Sequence, residues 1–202
     1  MSANDDATMC LVVRVPPFDR PATYDDLVKL PPILVAEIVG GELHASPRPA
    51  PPHAVAGAGL LGALSPPFHD GEGGPGGWWI LYEPELHHGP DVLVPDLAGW
   101  RRTRMPVPPE TAYFPLAPDW LCEVVSPSTA ALDRARKLAI YAREGVPYMW
   151  LVDPLARTLE ILRLADGHWV IDAVHVGNVT IRADPFADVV LRLERLWIPT
   201  GV

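Results

Sequence analysis

Six consecutive residues, Trp120–Val125, carry the strongest constraint in this chain: WLCEVV is apolar on both alternating faces except for one glutamate. Strands that are covered on both sides read this way, so the run predicts a central strand of a layered fold rather than an amphipathic edge. Ser128 or Thr129 follows as a helix cap, the helix runs to Glu144, and Gly145 stops it. The next strand, Tyr148–Val152, then completes a strand–helix–strand unit. With 202 residues and 49% hydrophobic side chains, the chain can bury one sizeable core. We expect a single α/β (α+β) domain over residues 21–200, with a mixed β-sheet flanked by helices, preceded by an arm at residues 1–20.

The remaining elements fall around that unit. A strand is expected near Leu11–Val15, and Thr23 with Asp26 three residues later caps a helix over Tyr24–Leu30 that Pro31-Pro32 stops. Leu34–Val39 and Glu42–Ala45 form a hairpin about Gly40-Gly41. Pro51–Leu64 is a helix whose glycines suggest close packing, and Ser65–Gly77 is a loop. Strands are expected at Trp78–Glu83 and, as one run, at Val92–Trp100; Arg101–Leu116 is an irregular, proline-bearing excursion. Thr158–Leu164, Trp169–Val176 and Val189–Leu193 add strands to the C-terminal half.

Composition narrows the function. A formal charge of −9 argues against a broad positive surface for coating nucleic acid, so such binding would have to be local. Two cysteines, Cys10 and Cys122, make no disulfide framework, no apolar stretch is long enough to span a membrane, and MSANDDATMC lacks the basic flank of a secretory signal. These features point to a reduced, cytoplasmic protein. No glycine-rich nucleotide motif is present, so no nucleotide triphosphate dependence is expected.

Three carboxylates stand in apolar settings. Glu123 shares a strand face with Leu121 and Val125; Asp96 follows Val92 and Val94 and is preceded by Pro95; Glu37 lies in VAEIV. A buried carboxylate needs a partner, a proton or a metal. Two such groups at neighbouring strand ends repel unless a cation lies between them, and oxygen donors suit Mg²⁺ or Mn²⁺. Structural uses remain open: Asp96 as a cap for the loop before Arg101 and Arg102, Glu123 as the partner of an arginine. Lys137 shares a helix face with Asp133 and Tyr141, where an ordinary Asp133–Lys137 ion pair is one explanation. The other starts from composition, since the chain has fourteen arginines but only Lys29 and Lys137 as lysines, and a compact ammonium suits a crowded phosphate site.

Together, Pro95-Asp96, Glu123 in CEVVSPST, Lys137 in DRARKLAIYAREGVPYMWLVDP and the segment AEIVGGELHASP resemble the putative restriction endonuclease family of the PD-(D/E)XK nuclease superfamily. The resemblance runs from about Tyr24 to about Trp197 and is most specific between Pro118 and Pro154. It implies a restriction-endonuclease-like fold and a hydrolase that cuts phosphodiester bonds of DNA with Mg²⁺ or Mn²⁺. On these positions Asp96 and Glu123 would be metal ligands, Lys137 would position or activate water, and Glu37 would be an auxiliary acid. The usual motif puts lysine two residues after the acid, where this chain has Val125; here the lysine must come from the following helix.

Contact with DNA would fall to Arg101, Arg102 and Arg104 in the excursion and to Arg134, Arg136 and Arg143 around the helix, a solvated rim being the plainer use. Each phosphate contact predicts a loss of about 0.9 log units in affinity per log unit of salt. Glu123→Ala is expected to abolish cleavage with little loss of folding. His44, His53, His69, His87 and His88 offer a rival transition-metal site, but none has HExxH spacing. His53 would line the cleft or be merely solvated, and the seven tryptophans follow strand periodicity and belong mainly to the core. A homodimer is expected for duplex cleavage. The alternative function is a catalytically silent descendant of the fold that binds nucleic acid or a second copy.

Overall fold

The computed structural model describes residues 13–14, 19–126 and 133–199. The elements in chain order are β1 (Val13–Arg14), α1 (Tyr24–Leu27), β2 (Val35–Val39), β3 (Glu42–Ser46), α2 (Pro51–Leu64), β4 (Trp78–Tyr82), β5 (Leu86–His88), β6 (Asp91–Leu93), β7 (Leu97–Arg101), β8 (Trp120–Val124), α3 (Leu138–Arg143), β9 (Tyr148–Asp153), β10 (Thr158–Ala165), β11 (His168–Val176), β12 (Thr180–Ile181) and β13 (Leu191–Arg192). They form a mixed six-stranded sheet in the order β11-β10-β9-β8-β7-β4, an antiparallel five-stranded sheet in the order β1-β3-β2-β6-β5, and a small β12-β13 ribbon. Among the described residues no helix is long and apolar enough to cross a membrane.

β8 lies inside the larger sheet, antiparallel to β7 and parallel to β9, and all five of its residues are buried. Its alternating side chains feed two cores. Trp120, Cys122 and Val124 pack with Ala56, Leu60 and Leu64 of α2, whereas Leu121 and Val125 pack with Ile140 and Tyr141 of α3 and with Val39 and Leu93 of the smaller sheet. The double coverage expected from WLCEVV is thus supplied by a helix on one face and a helix plus a second sheet on the other. Five of the seven tryptophans are buried, and Trp100 and Trp150 each donate their indole N–H to a backbone carbonyl, so the core assignment holds for most of them.

Local sequence accounts for the elements that place the site. Thr23 and Asp26 form a reciprocal capping box on α1, which ends sooner than Leu30 because it is only one turn long before Pro31. Gly40 and Gly41 both take positive φ, 61° and 79°, which a two-residue primed turn requires between β2 and β3. Pro51 and Pro52 open α2, where a missing N–H costs nothing. The close packing expected of its glycines is real at Gly59: a Cβ there would stand 2.4 Å from the Arg195 carbonyl oxygen.

Three expectations change. Ser65–Asp70 is a π-helical continuation of α2 rather than the start of a loop; Pro66 and Pro67 lack the N–H groups of an ordinary turn, and the chain widens before Gly71 reverses it at φ 78°. Val92–Trp100 is two strands, not one. Pro95 breaks it, and the chain leaves β6 in the smaller sheet and enters β7 in the larger. Asp96 therefore does not continue the Val92 face; it sits at the crossing between sheets. Of Val189–Leu193 only Leu191–Arg192 is strand, with a tight helical turn after it. The helix cap at Ser128 or Thr129 and Cys10 lie outside the described residues.

Candidate active site

At the C-terminal end of β8, four segments distant in sequence meet. Glu123 comes from β8, Glu37 from β2, Asp96 from the sheet crossing, and Lys137 from the π-helical turn Asp133–Lys137 that leads into α3. All four line one pocket with His53 of α2. The lysine is the hub: its Nζ lies 2.8 Å from Glu123 Oε1 and 2.9 Å from Glu37 Oε1 and is 2% exposed as a residue. The Asp133–Lys137 pair is not needed to explain this lysine, since two carboxylates from other elements face it.

Each carboxylate is oriented by a second donor. The Tyr141 hydroxyl, one turn beyond Lys137, donates to Glu123 Oε1 at 2.7 Å. Burial, reinforced by the Glu123 charge, pushes that hydroxyl well above its ordinary pKa, so it remains a donor. The Val94 N–H donates to Glu37 Oε1 at 2.8 Å, and the Val124 N–H donates to Asp96 Oδ2 at 2.7 Å. Pro95 is the reason two such bonds are possible, because backbone that has left one ladder and not yet joined the next can present Val94 and Asp96 to the site. Asp96 Oδ1 faces His53 Nε2 at 3.2 Å.

Three carboxylates against one ammonium leave excess negative charge in a largely buried pocket, an arrangement that a cation relieves. Among the described residues no three His, Cys, Asp or Glu side chains converge as a ready-made cluster of ligands. The donor chemistry nonetheless fits Mg²⁺ or Mn²⁺, which binds through one or two carboxylates and keeps several waters. Asp96 and Glu123 provide those carboxylates, and a pocket of about 90 Å³ is several times the room one water needs.

Because Glu123 attracts Lys137 and Tyr141, Glu123→Ala is not the nearly neutral change to folding expected from repulsion alone; it strips partners from a buried ammonium and a buried hydroxyl.

Arg101, Arg102 and Arg104 are not gathered here. Arg101 ends β7 and Arg102 follows it, about 16 Å of strand from Asp96, with their guanidiniums over the rings of Trp78 and Trp79 at 4.5 and 4.1 Å. Arg102 also donates to the backbone carbonyls of His69 and Trp78, and Arg104 pairs with Asp119 at 3.0 Å. Arg136, next to Lys137, pairs with Glu42, and Arg143 pairs with Asp91 and Glu144. The side chain of Arg134 lies outside the described set. The histidines are likewise dispersed: His69 bonds the backbone of Ile80, His87 stacks on Tyr113, and His88 is buried on the opposite side of β5.

Glu83, which also lines the pocket, was not marked by periodicity. It follows β4 at φ 44°, donates its N–H to the Asp96 carbonyl, and turns its carboxylate toward Arg48 at 3.5 Å. Its only sequence signal is its place before Pro84. Cys122 is buried on the opposite face of β8 from Glu123, and burial raises its thiol well above the usual range, which keeps it unreactive.

No curated protein matches this chain. A crystal structure of a putative nuclease belonging to DUF820, from Anabaena variabilis, shares the fold: the TM-score is 0.65 at 21% identity, over 87% of this chain and 97% of that one. The family model described as putative restriction endonuclease matches residues 21–194, and the chain belongs to that family, Uma2.

Proposed function

We propose that this protein is a divalent-metal-dependent endonuclease that hydrolyses phosphodiester bonds of DNA. The observation that carries the reading is Lys137, buried between Glu37 and Glu123 in the pocket that also holds Asp96. Membership of a family described as putative restriction endonuclease supports it. Asp96 and Glu123 would hold Mg²⁺ or Mn²⁺. When bound, such an ion supplies Lewis-acid polarisation of a phosphoryl oxygen and acidifies water.

The chain's own groups do the positioning. Glu37 and Glu123 fix the Lys137 ammonium, whose charge offsets the negative charge that builds on the phosphoryl group and whose N–H groups orient the attacking water. Tyr141 holds Glu123 and the Val124 amide holds Asp96, so the donors need little reorganisation as substrate enters. The (D/E)XK lysine is thus replaced in space, not in sequence.

Supercoiled plasmid incubated with Mg²⁺ or Mn²⁺ should be nicked or linearised, and Asp96→Asn, which keeps side-chain volume, should lower the rate at least about 100-fold. Equal cutting by the variant would overturn the assignment. Retained DNA binding with no cutting by either protein would favour the second reading, a silent nuclease fold acting as a binding module.

A further inference from the structure

We propose that His53 supplies a nitrogen donor beside Asp96 and makes the cation site select Mn²⁺ over Mg²⁺; the inference rests on the reading that Asp96 holds the ion. Pro51 and Pro52 fix the first turn of α2, and His53 immediately follows them with its side chain directed into the pocket. The imidazole and the Asp96 carboxylate are 17% and 13% exposed, so both donors meet in a recess rather than on an open surface.

The separation is that of a direct His53–Asp96 contact and also fits shared ligation of one ion. Two donors at adjacent corners of an octahedron with bonds of about 2.1 Å lie about 3.0 Å apart, and His53 Nε2 stands 3.2 Å from Asp96 Oδ1. Asp96 is turned for this by the Val124 amide on its other oxygen, at 2.7 Å. Glu123 is already held by Lys137 and Tyr141, so the pair that is best set for ligation is one oxygen and one nitrogen. Mixed oxygen and imidazole ligation favours a first-row transition ion, whereas Mg²⁺ prefers oxygen and water.

The test uses the full chain with Mn²⁺ and Mg²⁺ as probes, calorimetric titration for affinity, and pulsed electron paramagnetic resonance of bound Mn²⁺ for the ¹⁴N coupling that a ligated imidazole produces. The wild-type protein should bind Mn²⁺ about tenfold more tightly than Mg²⁺ and show ¹⁴N coupling. His53→Gln, with an unchanged melting temperature, should lose the coupling and about tenfold or more in Mn²⁺ affinity, with Mg²⁺ affinity nearly unchanged. Asp96-dependent Mn²⁺ binding without ¹⁴N coupling would overturn the role of His53 and leave the cation site standing. Absence of any Asp96-dependent binding would overturn both.

Discussion

At the C-terminal end of β8 the Lys137 ammonium and Glu123 are buried and Glu37 nearly so; at its N-terminal end Asp119 meets Arg104 at 3.0 Å with the arginine side chain 41% exposed. The two ends use the same pairing chemistry under different dielectric conditions. At the exposed end the Asp119 carboxylate also takes the Arg101 backbone N–H, and the arginines beside it rest on tryptophan faces. There the charges finish off the strand ends and cover aromatic surface. At the buried end the desolvation of Lys137 must be offset by both carboxylates together, and hydrophobic residues of the same volume would often be as stable. Charge retained in such a place is better explained by chemistry than by stability.

That contrast can be broken most severely at Lys137. Lys137→Met leaves Glu37 and Glu123 facing each other without their cation, and urea unfolding should show a loss of about 3–5 kcal/mol, together with loss of plasmid cleavage. Tyr141→Phe tests the same end with no change of charge. Removing the hydroxyl from Glu123 should cost about 1.5–3 kcal/mol and slow cleavage, and Tyr141→Phe melting like wild type would show that the carboxylate is held without it. At the exposed end, Arg104→Ala should cost only about 0.2–1 kcal/mol, shrink further in high salt, and leave the rate of cleavage intact. A large effect there would erase the distinction between the two ends.

The smallest effect concerns acid. His88 is buried and its pKa is lowered, chiefly by desolvation and then by the neighbouring Arg143, against the pull of Glu144. The folded state therefore resists protonation while the unfolded chain accepts a proton below its ordinary value near 6.5, so stability should fall as pH drops through that value. Stability curves of wild type and His88→Leu measured between pH 8 and 5 should diverge on the acid side, with the variant flatter.

Much of this was legible because local rules and tertiary needs agree. WLCEVV, the Gly40-Gly41 hairpin and α2 all have signals that no neighbour overrides. The carboxylates Glu37 and Glu123 can be named because charges in apolar runs violate the pattern around them, and Lys137 because lysine is scarce in this chain and its segment carries the family resemblance. Sequence and structure part where partners are remote in sequence. Pro95 was recognised as an interruption, but whether it bends a strand or moves the chain to another sheet depends on β2 and β8. His53, expected either to line the cleft or to be merely solvated, lines it; what decides between the two is Asp96, forty-three residues later. Glu83 left no periodic trace, and the arginines looked concentrated about the site only because sequence distance hides that β7 carries Arg101 away from Asp96.

The passage of the chain at Pro95 from one sheet to the other ties competence to folding order. Glu37 belongs to the smaller sheet, Glu123 to the larger, and Asp96 to the seam, so no half of the molecule can assemble the pocket alone. Contacts this far apart in sequence carry the larger loop-closure cost. A chain with its tryptophan core formed still lacks the assembled pocket until the sheets dock, and mild denaturant should open the pocket before that core melts.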